Sequence, residues 1–228
     1  MNPKINKINV KQITTLALLT AFAYMVMYVT RPLPPVVPLP PLKYDPKDIF
    51  IIIGGFLYGP LWSAAMSVIV SLIEMVTVST TGPIGLLMNI VSTCSFVCPA
   101  AAVYRRKRTI AGAVTGLVTG VILMVAIMML WNYLITPLYT GAPREVVAKM
   151  LIPTFLPFNL LKGSLNAAVT MLIYKPLSIS LRKLNMLPAA DADGAQAKTG
   201  AANIGVILVS LFAVITCVLL MLVFKGVI

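Results

Sequence analysis

The 228-residue chain is 59% hydrophobic and only 11% charged, against roughly 25% charged in ordinary soluble domains. One core of this size cannot hide so much apolar surface, so the solvent around it is lipid. The net charge of +12 does not point to nucleic acid, because the basic residues flank apolar spans, the pattern that orients a chain in a membrane.

In chain order, Lys4, Lys7 and Lys11 precede a first span expected over residues 13–30. Ala21-Phe22-Ala23 mimics a signal-peptide cleavage site, but the apolar run continues through Met25, Met27 and Val29, so the span is expected to stay uncleaved. RPLPPVVPLPPLKYDPKD follows, with seven prolines in residues 31–46. Proline lacks the amide hydrogen and breaks helices, so an extended, stiff loop is expected. Its end, LKYDPKDI, packs two lysines and two aspartates into eight residues, and it reads as a lid over a water-soluble ligand. A short helix over 48–58 carries Asp48 as N-cap or first-turn acid. Gly59-Pro60 turns the chain into a span over 61–78. STTGPIG turns it again into a span over 84–104, which ends on the RRKR run at 105–108. A span over 110–136, a polar amphipathic loop PLYTGAPREVVAKML and a span over 153–183 come next. Residues 185–203 are small and polar and read as a flexible linker. The apolar run 204–224 is long enough to cross once more. The expected organisation is therefore a membrane domain over 1–184, a linker over 185–203 and an added span over 204–228.

Counting Lys and Arg in short loops puts the N-terminus on the cytoplasmic side. That side then holds Lys4, Lys7, Lys11, the RRKR run, Lys175, Arg182, Lys183 and Lys198, 11 of the 18 basic residues. The proline loop, STTGPIG and the 137–152 loop fall outside.

Several chemistries are excluded. Cys94, Cys98 and Cys217 lie in apolar spans with no histidine in the chain, so no metal site is expected and the thiols read as inert. No P-loop pattern is present, so the chain does not hydrolyse ATP by itself. No nucleophile–base pair stands out, so the chain is not read as an enzyme.

Ionisable groups within spans are costly and call for a reason. Lys162 lies about nine residues into its span, ~14 Å along the axis, too deep to snorkel easily. Glu74 stands in the outer half of the third apolar segment, for binding or for an interhelical bond. Asn159, Lys162 and Asn166 follow i, i+3, i+7 and share one helix face. Asn132 sits near the outer end of its span beside Trp131 and Tyr133. Amides donate and accept while lysine only donates, a set that suits a neutral heteroaromatic ligand. Ala17-x-x-x-Ala21 and Gly112-x-x-x-Gly116-x-x-x-Gly120 are small-residue faces for close helix approach. The glycine face is read as packing within the chain.

Ala17-x-x-x-Ala21, LKYDPKDI opening a short helix, WNYLITPLY and PFNLLKGSLNAAVTMLIYKPLS, in this order, resemble the riboflavin-specific substrate-binding (S) subunits of energy-coupling factor (ECF) transporters. The resemblance covers roughly residues 10–184. It implies an all-α, six-helix membrane bundle that captures riboflavin from outside and docks on a transmembrane coupling protein with two cytoplasmic ATPases. Riboflavin is then cargo, and no cofactor is expected. Carried over by position, Leu42, Lys43 and Asp45 form the lid, Asn132, Asn159 and Lys162 the polar wall, and Ala17 and Ala21 the contact with the coupling protein. Tyr44, Glu74, Thr81, Gly82 and Trp131 are added from position. The run 204–224 departs from six helices and is expected to be an appendage clear of the pocket. Two readings stay open beside riboflavin. One is another vitamin, such as thiamine or pantothenate, or flavin mononucleotide, whose phosphate Arg31, Lys43 and Lys47 can tolerate. The other is a solitary transporter without ATPases.

Overall fold

The computed structural model describes residues 10–37, 42–186 and 201–224. Lys4, Lys7 and Lys198, proline-loop residues 38–41 and linker residues 187–200 lie outside the described residues. The architecture is all-α. Its helices are α1 (Val10–Thr30), α2 (Lys47–Tyr58), α3 (Pro60–Thr77), α4 (Gly82–Arg106), α5 (Ile110–Thr140), α6 (Arg144–Met150), α7 (Leu156–Lys183) and α8 (Ala201–Phe224). A wide π-type turn, Leu151–Phe155, joins α6 to α7. Among the described residues, six helices are long and apolar enough to cross a membrane: α1, α3, α4, α5, α7 and α8. The 12-residue α2 is shorter than a usual span and is wrapped by its neighbours, with Ile51, Ile52 and Ile53 fully buried. This is a membrane protein.

The core runs between α1, α2, α3, α4 and α5, where Leu19, Val70, Phe96, Val97 and Met124 are shielded. Lipid gives no hydrophobic force between helices, so close backbone approach and dispersion must hold them. The glycine face of α5 supplies that approach. A methyl on Gly116 would sit 2.6 Å from the Ala100 carbonyl oxygen of α4, too near for any side chain. Gly59, at φ +102°, takes a conformation that side chains disfavour, and it turns α2 into α3.

Three expectations change. The proline loop is not simply extended, because its ends fold back. Val36 and Val37 donate to the Leu42 carbonyl at 2.8 and 3.3 Å, and Leu42 donates to Val37 at 3.0 Å. The α5 helix runs one turn past the expected end at 136. Pro137 removes one amide bond without ending it, and Gly141 in the left-handed region ends it, donating to the Pro137 carbonyl at 3.1 Å. The loop expected at 137–151 is mostly helical, because Arg144–Met150 close a short helix whose Val147 is buried.

Candidate functional site

A cavity of about 500 Å³ opens at one end of the bundle. The end of α1, residues 42–45, the turn after α3, the last turn of α5 and the start of α7 surround it. Its apolar wall includes Met27, Met88, Met128 and Phe158, and its polar wall includes Asn89, Ser92, Asn159 and Lys162. The RRKR run lies at the far end of α4 from this mouth.

The charge cluster in LKYDPKDI divides into two parts. Leu42, Lys43, Tyr44 and Asp45 cover the cavity. Lys47 and Asp48 are buried beneath them as the first turn of α2. The Lys47 ammonium lies 2.8 Å from Glu74 Oε2 and also pairs with Asp45. Arg31, at the end of α1, reaches Glu74 Oε1 at 3.5 Å and donates to the Val78 carbonyl. Lys162 Nζ lies 3.8 Å from Asp48 Oδ2 and donates to Ser92 Oγ at 3.4 Å. Thr93 donates to Asp48 Oδ1 at 2.7 Å. Arg31, Lys47 and Lys162 thus face Asp45, Asp48 and Glu74 with no net formal charge, which is how a charge-dense segment is held in an apolar bundle.

Asn166 ties the lid to α7. Its Oδ1 accepts from the Tyr44 hydroxyl at 2.7 Å. Its Nδ2 donates to the Asp45 carbonyl at 3.2 Å and to Asp48 Oδ2 at 3.3 Å. Burial, then the carboxylates of Asp48 and Asp45, push the Tyr44 phenol far above its usual range, so it remains a donor. Burial draws the Asp45 carboxyl up, but Lys47 and then Lys162 outweigh it and leave it below the ordinary carboxylate value.

Leu42, Lys43, Tyr44, Asp45, Glu74, Thr81, Asn159 and Lys162 come together around the cavity. Asn159 is 3% exposed, and its amide nitrogen donates to the Phe155 carbonyl at 2.8 Å. Asn132 is buried on α5 one turn past Met128. It donates to the Met128 carbonyl at 2.7 Å and accepts from Thr136 at 3.0 Å. Asn132, Trp131 and Gly82 do not line the cavity. The Trp131 Nε1 is buried with no partner among the described residues, while Gly82, at φ +58°, shapes the turn beside Thr81. Glu74 is an interhelical ion-pair partner that also borders the cavity. Ala17 and Ala21 line a separate apolar hollow of about 470 Å³ between α1 and α3, opposite Trp62 and Ile69.

Lys47 is not available to a phosphate, since it is fully buried against two carboxylates. Lys43 donates to the Arg31 carbonyl at 3.0 Å. Sequence reasoning passed over Lys47 and Asp48 as structural anchors, and Asn89, Ser92 and Tyr139 as cavity residues. The signal for the first two was legible, because a lysine and an aspartate opening an apolar helix need buried partners. Among the described residues, none of the last run lines the cavity, but it packs close to it. Cys217 of α8 clusters with Leu161 and Leu165 of α7, and Tyr44 packs on that cluster.

A protein-family model described as "ECF transporter, substrate-specific component" matches residues 11–174. Among curated relatives, the riboflavin transporter RibU of Staphylococcus aureus (strain TCH60) is 26% identical over 188 residues, covering 79% of this chain and 97% of the relative. The riboflavin transporter FmnP of Bacillus subtilis (strain 168) is 27% identical over 175 residues, covering 72% and 90%. A solved S component of a bacterial ECF transporter superposes with a TM-score of 0.63 at 25% identity, covering 75% of this chain and 98% of that one.

Proposed function

The chain belongs to the substrate-specific components of ECF transporters, and we propose that the cargo it captures is riboflavin. It is a transport subunit and not an enzyme. The observation that carries the cargo reading is the cavity beneath residues 42–45, a slot that sets Met27, Met88, Met128 and Phe158 beside Asn89, Ser92, Asn159 and Lys162. A flat, largely apolar ring with carbonyls and ring nitrogens along one edge matches such a slot. Relatives named as riboflavin transporters cover most of the chain.

In this reading the isoalloxazine ring lies among Met27, Met88, Met128 and Phe158. Its polar edge meets Asn159 and Lys162, and it meets Asn132 once that amide turns from the Thr136 hydroxyl. These buried groups stay unpaired with a ligand of the wrong pattern, which gives specificity by penalty. Leu42, Lys43 and Asp45 close above the ring. The lid is tied at its base by Lys47 and Asp48, so closure orders few new bonds. Lys162 carries a charge that Asp48 already balances, so the bound ligand is neutral. No covalent step is needed, and no cofactor takes part.

The cavity mouth faces outside, and the RRKR run and the N-terminus face the cytoplasm, as the distribution of basic loops favours. Uptake then needs an ATP-driven ECF module, with a transmembrane coupling protein and two ATPases. Ala17 and Ala21, in the hollow between α1 and α3, form part of the docking face.

The test is an absorption spectrum of protein purified in detergent from cells grown in rich medium. A flavin band that survives dialysis, with riboflavin released on denaturation, supports the reading. Colourless protein that also fails to quench added riboflavin fluorescence overturns it. Copurification of ATPase subunits separates a coupled subunit from a solitary transporter.

A further inference from the structure

We propose that α8 is a brace for the lid, acting through Tyr44, and that it lengthens the time the ligand stays bound. The inference rests on the riboflavin reading above. The α8 helix lies beyond the residues 11–174 that match the family, so nothing in that match assigns it a role.

Tyr44 is placed to connect α8 with the ligand. It lines the cavity, its hydroxyl is held by Asn166 at 2.7 Å, and its ring packs on the cluster of Leu161, Leu165 and Cys217. Val214 and Met221 of α8 pack on the same cluster. Ser210, Val214, Cys217 and Met221 stand at i, i+4, i+7 and i+11, a single stripe on the helix. Ser210 and Cys217 are the buried members of that stripe, while Val209 and Phe212 are 69% and 72% exposed. The helix contributes little to the main core. Its packing is concentrated on α7, beside the two leucines and the tyrosine.

Opening the lid requires Tyr44 to leave this cluster. In lipid no hydrophobic gain opposes that movement, so the restraint comes from close dispersion contacts and the single hydroxyl bond. An α7 face covered by mobile acyl chains offers a poorer surface than one closed by α8. The restraint is present only while the lid is closed. It therefore slows ligand exit and leaves entry through the open state nearly unchanged.

The experiment is stopped-flow riboflavin fluorescence on the full chain in detergent. Val214→Ala/Cys217→Ala/Met221→Ala is compared with the outward-facing triple Leu208→Ala/Val209→Ala/Phe212→Ala. The inner triple is expected to release riboflavin about 3- to 10-fold faster with entry little changed, the pattern usual for weakened contacts. The outer triple should match the unmodified protein. Adding Tyr44→Phe to the inner triple should accelerate exit by less than the product of the two separate effects. If the inner triple does not fold, Cys217→Ala alone carries the test, with a smaller acceleration expected. An inner variant with unchanged exit, or an outer triple that accelerates exit equally, overturns the brace while the riboflavin reading stands. An unmodified protein that does not bind riboflavin overturns both.

Discussion

The Lys47 ammonium lies 2.8 Å from Glu74 Oε2, with the lysine side chain fully shielded and the glutamate nearly so. The pair joins the first turn of α2 to the C-terminal half of α3. Asp45 and Arg31 extend it to the lid and to the end of α1. Replacing one partner of such a pair leaves a buried charge uncompensated, which costs about 3–5 kcal/mol. Lys47→Met is therefore expected to lower the thermal midpoint in detergent by several degrees. Lys47→Met/Glu74→Gln should recover part of the loss. A single variant as stable as the unmodified protein would show that the pair does not hold the lid's base.

Lys162 borders the cavity and faces Asp48 at 3.8 Å. Lys162→Ala removes a donor from the polar wall and unbalances Asp48. Riboflavin affinity is expected to fall at least about tenfold, equivalent to ~1.4 kcal/mol. A fluorescence-quenching titration reads this directly, and unchanged affinity removes Lys162 from the site.

Asn166 does not line the cavity, yet it holds Tyr44, Asp45 and Asp48 at once. Asn166→Leu keeps similar bulk and deletes all three bonds. Riboflavin exit should accelerate about tenfold or more, since a hydrogen bond to a charged group is itself worth ~1.5–3 kcal/mol. Equal exit rates in the two proteins would show that the lid is closed by other contacts.

Trp131 stands beside Asn132 in the sequence but outside the cavity lining. Trp131→Phe is expected to leave riboflavin affinity within about twofold, the size of a neutral contact. A tenfold loss would place the indole against the ligand and require α5 to rotate on binding.

Asp45 titrates below its ordinary value of 3.8 because Lys47 and Lys162 outweigh its burial. A carboxyl whose folded value is depressed contributes in full above its unfolded value, and the contribution is lost as pH falls through the folded value. The stability gap between the unmodified protein and Asp45→Asn should therefore be constant from about pH 8 to 5 and close below about pH 4. Thermal unfolding across that range measures it. A gap that shrinks between about pH 7 and 5.5 contradicts the lysine pairing.

The spans, the interrupted charge cluster after the prolines and the depth of Lys162 were all legible in one dimension. Hydropathy and proline content act locally, and lipid forces each long apolar run into a helix whatever its neighbours do. Asn159 and Lys162, which both border the cavity, could be grouped because helical spacing places them on one face, whereas Ala17 and Ala21 take their partner contact only from the resemblance. The pairing of Lys47 with Glu74, 27 residues apart, could not be read from spacing. It depends on how α2 and α3 rotate about their axes, which packing decides. The same holds for Asn166, whose spacing put it beside Lys162 while its bonds point to the lid, and for Asn132, turned toward Thr136. Tertiary structure also brought α8 against Tyr44. Composition requires that run to be a helix in lipid, but all its faces are apolar, so only the shape of the α7 surface selects which one packs.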